Sequence, residues 1–159
     1  MSKIIAICNQ KGGVGKTSTA ISLSAALALE GKKTLLIDFD PQGNATSGLG
    51  HDKQKIEKSI YHALLENMTL SEITLPTCVE NLYLLPSNDN LSGAEVELVS
   101  EMGREVKLKK LLSQLDPTFE YIFIDCPPSF GLLTINALSA AHSVIIPIQC
   151  EYYALEGLS

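Results

Sequence analysis

No apolar stretch in this 159-residue chain approaches the ~18 to 20 residues needed to cross a bilayer, so nothing in it reads as a membrane span. The amino terminus has only Ile4 to Cys8 as an apolar run before polar Asn9 and Gln10, too short for the core of a secretory signal. The expected location is therefore the cytoplasm. The four cysteines, Cys8, Cys78, Cys126 and Cys150, show no Cys-X-X-Cys spacing, and three of them fall in or beside strand-like runs. Buried, reduced thiols are the expectation. Basic residues are scarce: 12 Lys and Arg against 18 Asp and Glu leave a formal charge of -6. That balance argues against a strong sequence-independent nucleic-acid binder, whose affinity comes mainly from cations neutralising phosphates, although a local basic patch stays compatible with it. The three histidines have neither metal-ligand spacing nor a nucleophile partner. The sets Lys53, Lys55, Lys58 and Lys107, Lys109, Lys110 read as solvated helix faces.

What is present is a globular composition. With 45% hydrophobic and 19% charged residues the chain is not disordered, and its length suffices to bury well over half of the surface an unfolded chain exposes. No repeat, low-complexity tract or long linker interrupts it, so residues 1–159 read as one domain. Lys3 to Cys8 is a short β-branched run, then a glycine-rich turn, then an Ala- and Leu-rich stretch from Lys16 to Glu30: strand, loop, helix. Gly31 stands where a left-handed residue closes a helix, and Thr34 to Asp38 is a second apolar strand. Pro41 to Gly50 has no apolar period and reads as a loop. Ser59 to Asn67 predicts a short helix and Asn81 to Leu85 a strand. Ser92-Gly93-Ala94-Glu95 matches a capping box that would start a helix, with Gly103 splitting it before Leu115. Tyr121 to Asp125 and Ser143 to Ile148 predict strands around a helix over Phe130 to Ala141, and Tyr152 to Ser159 looks like the start of another helix. Alternating strands and helices imply an α/β fold, a mostly parallel sheet with helices on both faces.

The turn between the first strand and helix carries the chemistry. Gly12, Gly13 and Gly15 let the backbone curl so that N–H groups point inward at a helix amino terminus, where the dipole favours anions. The pattern G-x-x-x-x-G-K-[ST] fits at Gly15-Lys16-Thr17, but its first glycine falls on Gln10, which makes this a variant phosphate loop. Lys16 would reach β- and γ-phosphate oxygens, the Thr17 hydroxyl would bind Mg²⁺, and N–H groups from Gly13 through Val14 to Ser18 would complete the cradle. Spacing alone leaves Lys11 between a phosphate ligand and an ordinary exposed loop lysine.

Acidic residues stand where two parallel strands end, the side on which open α/β sheets bind ligands. Asp125 ends an apolar strand and could hold Mg²⁺ directly or through water; a capping or turn role is the alternative. Asp40, two residues beyond Asp38, could orient the water that attacks the γ-phosphate and join Thr17 and Asp125 at the metal; a turn before Pro41 explains it equally well. No Asn-Lys-X-Asp guanine-reading motif occurs, which favours adenine.

The loop Lys11-Gly12-Gly13-Val14-Gly15-Lys16-Thr17 resembles the deviant Walker A loop of the ParA/Soj chromosome and plasmid partition ATPases. Asp38-Phe39-Asp40-Pro41-Gln42-Gly43-Asn44 is similar to that family's switch segment. Ile124-Asp125-Cys126-Pro127-Pro128-Ser129 resembles its Walker B region, and Glu151-Tyr152-Tyr153-Ala154-Leu155-Glu156-Gly157 its next helix. The resemblance implies a P-loop NTPase fold, Mg²⁺-dependent ATP hydrolysis and an ATP-sandwich homodimer. In that dimer Lys11 reaches the partner subunit's phosphates, Gly12 is small because the partner passes close by, and Asp40 lies nearest the attacking water. It also implies non-specific DNA binding by the ATP dimer, hydrolysis stimulated by a ParB-type partner protein, and a place on the nucleoid where DNA binding is retained. Family members run to roughly 250 residues on the domain-size prior, so the C-terminal part of the family fold, with much of the adenine pocket and the basic DNA-binding surface, is expected to be lacking. The alternatives are a non-catalytic interaction module whose sheet edge pairs with another chain, and a related positioning ATPase of another process.

Overall fold

The computed structural model describes residues 2–150. Six strands form one sheet: β1 (Lys3–Ile7), β2 (Thr34–Asp38), β3 (Leu75–Pro76), β4 (Leu82–Leu85), β5 (Tyr121–Asp125) and β6 (Ser143–Ile145), in the order β3-β4-β2-β5-β1-β6. Every pairing is parallel except the two-residue β3 against β4, as the alternation of strands and helices requires. The helices are α1 (Lys16–Leu29), α2 (Asn44–Gly48), α3 (Ile60–Leu65), α4 (Leu70–Ile73), α5 (Leu91–Glu97), α6 (Lys107–Leu112) and α7 (Leu132–Ala140).

Successive strand residues feed opposite faces. Leu35, Ile37, Ile122 and Ile124 pack with α3, α5, α6 and α7, while Leu36 and Phe123 pack with Ala20 and Ala28 of α1 and Ala45 of α2. The sheet is thus covered on both sides, and its central strands β2, β5 and β1 end together. In register, Asp38 lies beside Asp125 and Ile7 beside Asp125 from the other side. Helix α1 closes where its sequence says: Gly31 has φ +79, Gly31 N–H donates to Ala28 O at 2.9 Å and Lys32 N–H to Leu27 O at 3.0 Å, the two hydrogen bonds of a Schellman ending.

Several expectations need correction. Pro41 to Gly50 contains α2, a helix with no apolar period of its own that is held by bonds to β2. Beyond Glu66, within the span expected for the Ser59 helix, the chain leaves the helix and soon enters α4, whose start is fixed by a Thr69–Glu72 capping box; a Ser59–His62 pair does the same for α3. The Ser92 capping box does not form. Asn88, Asp89 and Asn90 carbonyls already accept bonds from Leu91, Ser92 and Gly93, so Ser92 falls inside the first turn, its hydroxyl donating to Asp89 O at 2.7 Å. Gly103, at φ +68, does separate α5 from α6. The last strand stops at Ile145 rather than Ile148. Cys8 and Cys126 are buried, but Cys78 and Cys150 are exposed. The helix expected from Tyr152 lies outside the described residues.

Candidate nucleotide site

β1 and α1 hold the residue 8–15 loop between them. Gly13 and Gly15 have φ +71 and +87, conformations that cost a side-chain-bearing residue energy, and Gly15 caps α1 without any side-chain cap bond. The first N–H groups of a 14-residue helix therefore face the loop with no capping side chain, the arrangement that receives a phosphate. A Cβ on Gly12, Gly13 or Gly15 would meet no atom of the described residues within 4 Å. Val14 turns inward and is buried, whereas Ser18 is exposed. Lys16, 7% exposed, crosses the loop and donates from Nζ to Lys11 O at 3.0 Å.

The loop is braced from outside. Asn9 Nδ2 donates to Pro147 O at 2.9 Å, Lys11 N–H donates to Asn9 Oδ1 at 2.9 Å, and Gln149 Nε2 donates to Gly13 O at 2.8 Å. The segment after β6 thus buttresses the loop. Nothing in the sequence pointed to Asn9 or Gln149, because both act across a sequence distance of more than a hundred residues.

The acidic groups converge from β2 and β5. Thr17 Oγ1 donates to Asp125 Oδ2 at 2.7 Å, so two residues assigned to metal binding from sequence are in direct contact. Asp125 Oδ1 is buried and has no hydrogen-bond partner among the described residues. Burial pushes the Asp125 carboxyl up to about 7, with Asp38 and Asp40 raising it further against the lowering bond from Thr17. Asp38 is fully buried and is pushed up to about 6, again by burial first. Its Oδ2 accepts both Thr46 N–H and Thr46 Oγ1–H at 2.7 Å, and Thr46 Oγ1 in turn accepts Ser87 N–H at 3.0 Å. Sequence patterns miss Thr46 because its segment reads as a loop. Asp40 is 8% exposed; its Oδ1 accepts Gln42 N–H at 3.0 Å and its carbonyl accepts Gly43 N–H at 2.9 Å. The turn role weighed for Asp40 is therefore real, and it engages Oδ1 of the carboxylate.

Two buried carboxylates side by side with one orphaned oxygen disfavour their own ionisation and fit a hard divalent cation. Among the described residues no group of three or more His, Cys, Asp or Glu could hold a metal alone. A cation here would draw on Thr17, Asp125, water and the oxygens of a phosphate ligand, which is how Mg²⁺ is commonly bound.

An uncapped helix amino terminus, a buried loop lysine and a Thr–Asp pair at the carboxyl end of a parallel sheet define a phosphate-loop nucleotide-binding protein of the P-loop NTPase fold. The AAA domain family matches residues 2–159. The sporulation initiation inhibitor protein Soj of Bacillus subtilis is 58% identical over 159 residues, all of this chain and 63% of that protein. A Mycobacterium smegmatis structure named cobyrinic acid a,c-diamide synthase, with bound ADP and magnesium, superposes with a TM-score of 0.96 at 47% identity, covering 99% of this chain and 64% of that one. A putative plasmid partition protein from Borrelia burgdorferi, bound to AMPPNP, gives a TM-score of 0.86 at 36% identity, covering 99% and 67%. The chain belongs to the ParA/Soj family of partition ATPases. It spans 56 to 63% of the length of the first curated relatives it matches.

Proposed function

We propose that this chain binds ATP with Mg²⁺ over residues 11–18 and hydrolyses it as the nucleotide switch of a chromosome or plasmid partition system. The observation that carries this reading is the juxtaposition of the open α1 amino terminus with Lys16, Thr17 and the orphaned oxygen of Asp125. The continuous six-stranded sheet supports taking residues 1–159 as one nucleotide-binding domain.

Backbone N–H groups from Gly13 to Ser18 would bind the phosphates, and Lys16 would exchange its bond to Lys11 O for phosphate oxygens. Thr17 and Asp125 would hold Mg²⁺, which when bound neutralises charge on the phosphates. Asp40 is buried, with Oδ1 held by Gln42 N–H, and its other oxygen would orient the attacking water. Lys11 would serve the phosphates bound by a second copy, stabilising charge that grows in the transition state. Gly12 supports this arrangement: its φ is not positive and no neighbour among the described residues crowds it, so none of them requires glycine there, whereas close passage of a partner would. In the whole protein, ATP-dependent homodimers would bind DNA non-specifically and a ParB-type partner would stimulate turnover in the cytoplasm. No helix among the described residues is long and apolar enough to cross a membrane.

Size-exclusion elution with and without Mg-ATP tests the switch. A dimer that forms only with nucleotide, persists in Asp40→Ala and is not turned over there is the expected result. Normal hydrolysis by Asp40→Ala would remove Asp40 from its assigned role. The reading as a nucleotide-independent interaction module has one observation in its favour: among the described residues β6 pairs only with β1, and Val144, Ile146 and Ile148 beside that edge are 43 to 46% exposed. Association independent of ATP would favour it.

A further inference from the structure

β1 and β5 pair in register up to Ile7 and Asp125, and each strand is followed immediately by a cysteine. Cys126 N–H donates to Ile7 O at 3.1 Å, so the parallel ladder continues and sets Cys8 beside Cys126 on the same face of the sheet. Their sulfurs are 2.8 Å apart. Buried cysteines ordinarily pack as small apolar groups; these two meet each other. Adjacent strands lie ~4.7–4.9 Å apart, inside the ~4.4–6.8 Å Cα separation that a disulfide spans, and the sulfurs need to close to ~2.05 Å, a movement of under about 1 Å. Cys8 is 8% exposed and Cys126 fully buried, so Cys8 is the less enclosed of the two thiols.

We propose that Cys8 and Cys126 form a thiol–disulfide exchange site at the root of the phosphate loop, where a low-molecular-weight disulfide converts them to an intramolecular disulfide and weakens nucleotide binding. The Cys8 sulfur attacks one sulfur of the reagent, breaking its S–S bond and releasing one thiol. The Cys126 sulfur then attacks Cys8 and releases the second. Both cysteine protons end on the two departing thiols, the protein pair loses two electrons and the reagent gains them. Cytosolic disulfides of this kind are characteristically transient and redox-sensing.

The location gives the crosslink its consequence. Cys8 is where β1 becomes the phosphate loop, and Cys126 follows Asp125, whose Oδ2 is 2.7 Å from Thr17 Oγ1. A covalent tie there opposes any parting of the strand ends to admit Mg²⁺ beside Thr17 and Asp125. This coupling rests on the nucleotide-site reading above; the crosslink itself rests only on the placement of the two thiols.

The test uses the full chain with Cys78→Ser and Cys150→Ser, which removes the exposed thiols, incubated with glutathione disulfide and followed by intact mass, peptide mapping and Mg-ATP titration. The folded chain is expected to lose two hydrogens, retain no glutathione and yield a Cys8–Cys126 linked peptide. Chain unfolded in urea should instead carry glutathione on separate cysteines. The crosslinked chain should bind Mg-ATP about tenfold or more weakly, about 1.4 kcal/mol, and dithiothreitol should restore binding. A stable glutathione adduct on Cys8, or two thiols that stay free, overturns the exchange site, and a crosslink that leaves affinity unchanged overturns the coupling. Failure of the reduced chain to bind Mg-ATP would strike the nucleotide-site reading while leaving the crosslink result intact.

Discussion

Replacing Asp125 by Asn should make the nucleotide-free chain more stable at pH 8 and less responsive to Mg-ATP. Burial moves this carboxyl from an ordinary 3.8 up to about 7. The folded chain therefore keeps that proton across a window, about pH 4 to 7, in which the unfolded chain has released it, and stability falls as pH rises through the window. At ~1.4 kcal/mol per pH unit the displacement corresponds to on the order of 4 kcal/mol lost by pH 8. Asp38, pushed up to about 6, acts in the same direction. Asp116, held down to about 2 chiefly by the Lys33 hydrogen bond, finishes titrating below this window. The amide introduced by Asp125→Asn can still accept from Thr17, but its NH₂ would occupy the place of an oxygen with no partner among the described residues, at a cost of about 1–3 kcal/mol. The net gain at pH 8 is about 1–3 kcal/mol, or roughly 2–10 °C in Tm for a chain of this size. Scanning calorimetry at pH 5 and 8, with and without Mg-ATP, measures it. Wild-type chain should be more stable at pH 5 than at pH 8 without nucleotide and gain more from Mg-ATP at pH 8. Greater wild-type stability at pH 8, or a lower Tm for Asp125→Asn there, would refute the reasoning.

Gly12→Val should nearly keep its unfolding midpoint, since a Cβ there meets no atom of the described residues within 4 Å, yet lose the ATP-dependent dimer in size-exclusion runs; normal dimerisation would show that Gly12 faces no partner. Thr46→Val removes the donor to Asp38 and the acceptor for Ser87 N–H and should cost roughly 2–3 kcal/mol in urea unfolding at unchanged m. A loss below about 1 kcal/mol would mean water replaces those bonds. Gly131→Ala places a Cβ against the end of the Glu95 side chain, which can swing away at the loss of its bond to Leu133 N–H, and should cost about 0.5–1.5 kcal/mol. With Glu95→Ala already present the same change should cost almost nothing, a coupling that strict additivity in a double-mutant cycle would disprove.

What could be read from sequence was whatever depends on local rules. The phosphate loop is legible because the sharp turn demands residues tolerant of positive φ at fixed spacing, and Gly13 and Gly15 adopt it. The strands are legible because burial on both faces forces continuous apolar runs, and Asp38 and Asp125 stand out as charges ending them. Features made by tertiary contact were not legible. Helix α2 exists because Thr46 is held by a carboxylate eight residues back, not because Asn44 to Gly48 favours helix. Glu95 reads in the sequence as the cap of its own helix, but its carboxylate instead accepts the N–H of Leu133 at 3.3 Å, at the start of α7. The Cys8–Cys126 contact and the bracing by Asn9 and Gln149 depend on strand order, which local patterns leave open.

Equilibrium titration of Mg-ATP into this chain and into Lys16→Ala tests the nucleotide site most directly. Lys16 is buried and its ammonium donates to Lys11 O, so its truncation should cost about 0.5–1.5 kcal/mol of stability and leave a folded chain. Saturable binding by the wild type, weakened about tenfold or more in Lys16→Ala, is the predicted result. Equal affinity in two folded chains would contradict the account.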